Sequence, residues 1–345
     1  MSSFYLNKIT IFIFFFIIYK ILITKQKKLH PKISIFLPVY NMEKYISKTL
    51  QLLIKQTLKD IEIIAVNDYS EDKTYDILKK FALKDKRIKI INNTKNYGLL
   101  YSRAMGIIHS SGKYLINLDP DDELNALDNL EYLYNKAITT NVDIISYGYL
   151  IKRRKIINNL CDEFDVIIKQ PKLFEIEYKY ENSTKDRLIW NKLIKRELFL
   201  KAFLLFKEYI YYKKWNYHED NIWSLLVHKL AKSKLCVKKL IYIYNNNINN
   251  MSLMRKRGSL IECNNIIYRF EMKRKILNKP VYFNYLRKEC YTFFNTIQKS
   301  INFKLFIRTN NDLKKKAINI LEICIKNYKI SNIKKKKIIN LINNF

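Results

Sequence analysis

The sequence predicts an α/β domain on a mainly parallel sheet, and three observations carry that prediction. Short apolar runs at Ile33–Leu37, Ile61–Val66, Ile88–Ile91 and Tyr114–Leu118 have the length and character of buried strands. Segments with apolar residues at helical spacing lie between them. Polar clusters follow three of the strands: Pro38-Val39-Tyr40-Asn41, Asn67-Asp68 and Asp119–Asp122. Alternating β and α elements imply a parallel sheet covered on both faces. Ligands of such sheets bind at the carboxyl ends of the strands, where all three polar clusters fall.

Taken in order, the chain opens with an apolar run, Ile9–Tyr19, that continues through Lys20 to Ile23. A bilayer core asks for about 20 apolar residues, with about 17 as a floor. Lys20 can snorkel at one end, and Phe4, Tyr5 and Leu6 extend the other. No small-residue cleavage site follows, so residues 1–30 read as a membrane anchor with a basic flank rather than a signal peptide. A core helix is the alternative. Lys20, Lys25, Lys27 and Lys28 stand at or after its end and only Lys8 before it, which places the body on the cytoplasmic side. Met42, Ile46, Leu50, Leu53 and Ile54 then form a helical stripe. Helices are expected at Asp72–Leu83, Leu99–Ile108 and Leu124–Ile138, and β-rich pieces at Asp143–Leu150 and Asp165–Ile168. A helix opens at Glu219 with Ile222, Leu225, Leu226 and Leu230 on one stripe. Ile261–Ile276, Phe283–Ile301 and Leu313–Ile342 read as helical. The resulting segments are 1–30, a first half at 31–150, a second half at 151–257 and a basic helical region at 258–345.

The net charge of +33 is unevenly placed. Residues 31–150 hold 16 Lys and Arg against 15 Asp and Glu, whereas residues 151–345 hold 43 against 16. An excess of this size fits nucleic acid, an anionic membrane or anionic substrates. Asn, Lys and Ile dominate the composition, so codon bias explains part of it. Lys314–Lys316 and Lys334–Lys337 would suit a bilayer surface beside an anchor. The five cysteines carry no CxxC spacing, which argues against a disulfide framework or zinc site and fits reduced surroundings.

The most informative stretch is Gly112–Glu123, a strand that stops in Asp119-Pro120-Asp121-Asp122-Glu123. Carboxylates held this close need a cation to neutralise them. An all-oxygen cluster suits Mg²⁺ or Mn²⁺, which completes its shell with waters and phosphate oxygens. Asp119 and Asp121 are the candidate ligands. The bland alternative is an acidic helix N-terminus, with Asp122 and Glu123 facing the dipole.

These motifs resemble the nucleotide-sugar-binding half of a family 2 glycosyltransferase over residues 32–124. The matching pieces are Pro38–Asn41, Gln56-Thr57 with Ile61–Asp72, Asn96–Gly106, and Asp119-Pro120-Asp121-Asp122 in the place of the family's Asp-Ser-Asp-Asp motif. The resemblance implies a Rossmann-like GT-A fold and inverting transfer from a nucleotide diphosphate sugar to a hydroxyl of a glycan or lipid-linked acceptor. Pro38, Val39, Tyr40, Asn41, Asp68, Arg103 and Asp119 are then the expected donor-binding residues, with Mn²⁺ or Mg²⁺ on Asp119 and Asp121. Arg103 can instead pair with Asp119 and order the loop. The sequence departs from the pattern at Tyr69, where Gly is usual, at Ala104 and at Pro120.

In the second half, Trp190-Asn191-Lys192-Leu193 resembles the family's Trp-Asn-Lys-Leu segment, and Tyr242-Ile243-Tyr244 with Ser252 its closing element. Such enzymes carry the general base at the Asp of a Glu-Asp pair, which here is Asp220. The alternative for Glu219 and Asp220 is helix capping. His218 is either a metal or phosphate ligand or simple polar packing. Arg255-Lys256-Arg257 is either a diphosphate contact or a solvated run. Two rival classes stand beside the enzyme: a catalytically inactive nucleotide-sugar-binding protein of the same fold, and a basic protein that binds nucleic acid or membrane. Intact Asp68, Asp119, Asp121 and Asp220 weigh against the first. The near-neutral 31–150 region and the lack of a nucleic-acid motif weigh against nucleic acid.

Overall fold

The computed structural model describes residues 30–152, 156–158, 165–170, 188–210, 219–245, 274, 293, 311–327 and 332–343. The Ile9–Ile23 run, His218, Ser252 and Arg255–Arg257 lie outside these. So do the helical readings at 261–276 and 283–301, apart from Arg274 and Phe293.

The first half alternates as its apolar periodicity predicts. β1 (Ile33–Val39), α1 (Ile46–Ile54), β2 (Ile61–Asn67), α2 (Thr74–Lys84), β3 (Ile88–Asn92), α3 (Leu99–His109) and β4 (Tyr114–Asn117) follow one another. After them come β5 (Glu123–Leu124), α4 (Asn129–Thr140), β6 (Ile144–Ile151), β7 (Ile156–Asn158) and β8 (Ile167–Lys169). The second half adds β9 (Lys192–Lys195), α5 (Arg196–Ile210), α6 (Glu219–Leu230) and β10 (Ser233–Tyr244). Two helices close the chain, α7 (Asn311–Asn327) and α8 (Asn332–Asn343), where the sequence reads as one.

The strands form one ten-stranded sheet in the order β3-β2-β1-β4-β9-β6-β10-β5, with β7 on β6 and β8 on β10. β1 pairs in parallel with β2 and β4, β2 with β3, and β6 with β10. β9 runs antiparallel between β4 and β6. The two sequence halves therefore share a single sheet.

Side chains alternate across the strands and build two cores. On β1, Ile33, Ile35 and Leu37 join Leu50, Leu53, Leu78, Leu130 and Leu133 on the α1, α2 and α4 face. Phe36 joins Leu100, Ile107, Phe199, Trp223 and Leu226 on the α3, α5 and α6 face. α3 lies flush on β1 because Gly106 has no side chain: a Cβ there would stand 2.8 Å from the Phe36 Cβ. That contact fixes the height of Arg103, one turn earlier on the same helix.

Three sequence expectations are corrected. The helix expected from Leu124 begins only at Asn129; Glu123 and Leu124 instead pair with Ile243 and Tyr242 of β10. Leu124 belongs by periodicity to either element, and the cross-strand partner 118 residues away decides. Thr74, not Asp72, opens α2, because Asp72 accepts a hydrogen bond from the Thr74 backbone N–H at 2.9 Å. The expectation of no disulfide is also corrected, since Cys236 on β10 and Cys324 on α7 each take part in a disulfide. Among the described residues, no helix is long and apolar enough to cross a membrane.

Candidate functional site

The site lies at the carboxyl end of the parallel strands, and Arg103 is its hub. Burial is nearly complete, with 3% of the residue exposed. Its Nε donates to Asn117 Oδ1 at 3.0 Å, and its Nη2 to Asp119 Oδ1 and Oδ2 at 3.0 and 3.3 Å. Its Nη1 donates to Glu219 Oε1 at the start of α6. The planar fork of a guanidinium suits this three-way contact; an ammonium could not span it. One cation thus faces the carboxylates of Asp119, Glu219 and Asp220, and all three hold its charge more firmly.

A single positive charge does not neutralise three acids. Burial pushes Glu219 up to about 7 despite Arg103, and Asp220 and Asp119 add to the push. Burial also raises Asp220, opposed by Arg103 and by the charge of Lys192. Lys192 is fully buried and donates to the Leu188 carbonyl and to Asn191 Oδ1. The two members of the acidic pair differ in access. Glu219 is 3% exposed and tied to Arg103, whereas Asp220 is half-buried, with Oδ1 accepting from the Asn221 N–H at 2.8 Å.

The Asp119–Glu123 loop is held from below. Asp122 is buried and accepts from the Tyr242 hydroxyl at 2.6 Å and the Asn245 N–H at 2.7 Å. The Asn245 side chain donates to the Asp121 carbonyl at 2.8 Å and to Glu123 at 3.1 Å. Burial, Asp121 and Asp119 push Asp122 well above the usual carboxylate range. That mutual repulsion is the charge crowding that a divalent cation relieves. Asp119 Oδ1 accepts from both Arg103 and Asn117, while Oδ2 takes only the longer Arg103 contact among these. A carboxylate offers about four lone-pair positions, so Asp119 retains capacity for a cation. The donor set therefore fits Mg²⁺ or Mn²⁺. Among the described residues no three His, Cys, Asp or Glu side chains gather to hold an ion alone. Asp119 and Asp121 would supply part of a shell that ligand oxygens and water would complete.

The first loops of the rim are zipped together. The Asn41 N–H donates to Ser70 Oγ at 3.0 Å, and Asn41 Oδ1 accepts from the Glu71 N–H at 2.9 Å. Tyr69 takes φ 63°, a left-handed conformation that favours glycine. Glycine would adopt this turn without strain, and here Tyr69 adopts it. Asp68 is buried and accepts from Asn93 Nδ2, the Tyr97 N–H and the Gly98 N–H at 2.8, 2.9 and 2.7 Å. Its carboxylate orders the loop that leads into α3 and so positions Arg103.

Among the expected donor-binding residues, Pro38 and Val39 are buried in β1, while Tyr40 is half-buried and Asn41 exposed. Asp68 and Arg103 are turned to the protein. Arg103, Asp119 and the Glu219–Asp220 pair are brought together, although 116 residues separate Arg103 from Glu219. Sequence reasoning missed the role of Glu219, whose only sequence signal is its place beside Asp220. It also missed the aromatic stack beneath the site, in which Trp190 lies against Tyr242 at 4.5 Å and Tyr244 at 5.5 Å between ring centroids.

Comparisons with known proteins agree with this geometry. The profile of glycosyl transferase family 2 matches residues 34–203. Over 226 residues the chain is 32% identical to EpsJ of Bacillus subtilis (strain 168), named an uncharacterized glycosyltransferase, covering 64% of this chain and 63% of EpsJ. Over 220 residues it is 31% identical to the glycosyltransferase GlyA of Streptococcus pneumoniae serotype 4, covering 62% of this chain and 30% of GlyA. The chain thus matches less than two thirds of the length of either relative. S. aureus TarS residues 1–349, solved in complex with UDP-GlcNAc, superposes with a TM-score of 0.59 at 19% identity, covering 86% of this chain and 81% of that one. The matched profile and the shared fold lead to one conclusion: residues 34–203 of this chain form a glycosyl transferase family 2 domain, on a sheet of the GT-A kind.

Proposed function

We propose that the chain transfers a sugar from a nucleotide diphosphate sugar to a hydroxyl of a glycan or lipid-linked acceptor, with inversion at the anomeric carbon. One observation carries this reading: Arg103 ties the Asp119 loop of the first half to the Glu219–Asp220 pair of the second. Metal-ligating and proton-accepting carboxylates thereby face one site. A divalent cation on Asp119 and Asp121 would neutralise the leaving diphosphate.

The chain's own residues supply the rest. Asp220 takes the acceptor proton as the hydroxyl attacks. Burial raises its proton affinity and so improves it as a base near neutral pH. Glu219 is the weaker candidate, because its carboxylate is committed to Arg103. Tyr40 and Asn41 are the members of the first loop that reach the nucleoside. Asp68 acts by positioning the 93–98 loop, and the Trp190 stack floors the acceptor side. A single displacement with no covalent intermediate accounts for inversion. By the lysine asymmetry around Ile9–Ile23, the body stands on the cytoplasmic side of a membrane anchor.

The test is a panel of nucleotide diphosphate sugars, beginning with UDP-GlcNAc, with Mn²⁺, Mg²⁺ or excess chelator. Metal-dependent release of nucleoside diphosphate supports the reading. Full turnover in chelator, or no binding of any donor, sinks it.

A further inference from the structure

Charge is separated between the two ends of the sheet. The carboxyl ends of the strands carry Asp68, Asp119, Asp121, Asp122, Glu219 and Asp220. The opposite end, where the parallel strands begin, is lined by lysines. Lys59 precedes β2, Lys86 precedes β3, Lys113 precedes β4 and Lys232 precedes β10, and all four are exposed. Exposed Lys84 ends α2, and exposed Lys169 ends β8, beside Ser233. Backbone bonds hold this end together: Lys32 N–H to Asp60 O at 3.0 Å, Lys113 N–H to Pro31 O at 3.0 Å, and Arg196 N–H to Lys113 O at 3.0 Å. The acids here do little to offset the lysines. Asp85 is paired with Arg87 at 2.6 Å, Asp143 with Lys195 at 2.9 Å and Glu62 with Lys89 at 2.6 Å, which leaves exposed Asp60 and exposed Glu197, the latter 3.8 Å from Lys201. Leu83 stands 87% exposed beside Lys84 and Lys86.

We propose that this strand-start end of the sheet is a docking surface for an anionic lipid bilayer. Clustered lysines near an anionic surface each add attraction, and a protruding leucine between them adds apolar contact at the headgroup boundary. Residue 30 reaches β1 at this same end, and the apolar Ile9–Ile23 run precedes it in sequence. Nucleic acid would also meet the lysines, but it offers nothing to Leu83. The docked orientation holds the acidic rim one strand length away, about 23 Å for seven residues. The site then opens away from the lipid, toward an acceptor that reaches out from the membrane or is dissolved.

The experiment is hydrogen exchange on the full chain, with phosphatidylcholine vesicles that contain or lack phosphatidylserine. Amides at 83–87 and 112–114 should gain protection only with phosphatidylserine, while rim amides at 68–72 and 119–123 stay unchanged. About 1 M salt, which shortens the Debye length to about 3 Å, should abolish the gain. Lys59→Gln, Lys86→Gln, Lys113→Gln and Lys232→Gln combined should remove it while leaving the melting temperature intact. Each lost lysine should weaken that contact about fivefold. Equal protection on phosphatidylcholine alone, protection confined to 311–343, or protection that survives the four substitutions would overturn the proposal. Single-stranded RNA protecting these amides where phosphatidylserine does not would assign the surface to nucleic acid instead.

Discussion

Arg103 on α3 and Glu219 at the start of α6 form an ion pair in which each residue is 3% exposed. The pair joins the two halves of the site, and Arg103 also carries Asn117 and Asp119. Removing the cation leaves buried acids uncompensated, which typically costs about 3–5 kcal/mol. Arg103→Ala should therefore lower unfolding free energy by about that amount in a urea titration. Arg103→Lys should recover only part of it, because an ammonium cannot reach all three partners. Wild-type stability in either variant would remove Arg103 from its place as hub.

The same pair predicts a pH dependence. Burial pushes Glu219 up to about 7 from an ordinary value of 4.5. In that interval the folded state binds more protons than the unfolded state, so stability falls as pH rises. The contribution is fully present below about pH 4.5 and is lost as pH rises through 7. In chelator-treated protein, the stability of wild type relative to Glu219→Gln should decline across that window. A flat difference between the two curves would contradict the prediction.

Asp121 and Asp122 are neighbours with different work. Asp121→Ala should abolish metal-dependent binding of a nucleoside diphosphate with little loss of stability, measured by calorimetry and melting. Asp122→Ala should do the reverse. It strands the Tyr242 hydroxyl and the Asn245 N–H, at about 1–3 kcal/mol for a buried group left unpaired. Tyr242→Phe should recover part of the loss in the double variant. Equal loss of metal-dependent binding from both alanine variants would refute the division.

Asp220→Asn keeps the size of the side chain and much of its capping ability. Transfer should slow by about 10²–10⁴-fold, while donor affinity and melting temperature hold. Near-normal transfer would exclude Asp220 as the base. Loss of the fold rather than of rate would identify it as a helix cap.

The sequence made β1 to β4, β6 and β8 legible as short β-rich runs, three of them with a polar cluster behind; β5, β7, β9 and β10 were not legible, because their partners lie far away in sequence. Motif order was enough to single out Asp119, Asp121 and Asp220 as candidates. The pairing of Glu219 with Arg103 could not, since nothing local in Glu219-Asp220 distinguishes a cap from a buried ion pair. Leu124 was misread because a single apolar residue before a helix suits either element until Tyr242 appears opposite it. Pro38 and Val39 sit inside a motif but inside the strand as well, so motif membership overstated their access. Counting charge over 31–150 lost the contrast between Lys113 at one end of β4 and Asp119 just past the other.

The place of β9 between β4 and β6 has a consequence for the order of events during synthesis. β4 ends at Asn117, but its neighbour on that edge is not complete until Lys195 has left the ribosome. At about 5–20 residues per second, that delay is on the order of ten seconds. Throughout it, β4 has β1 on one side and an unpaired edge on the other. An open edge of this kind invites pairing with another nascent chain. Slowing translation between residues 118 and 195 should therefore lower the yield of soluble protein more than slowing it after residue 245.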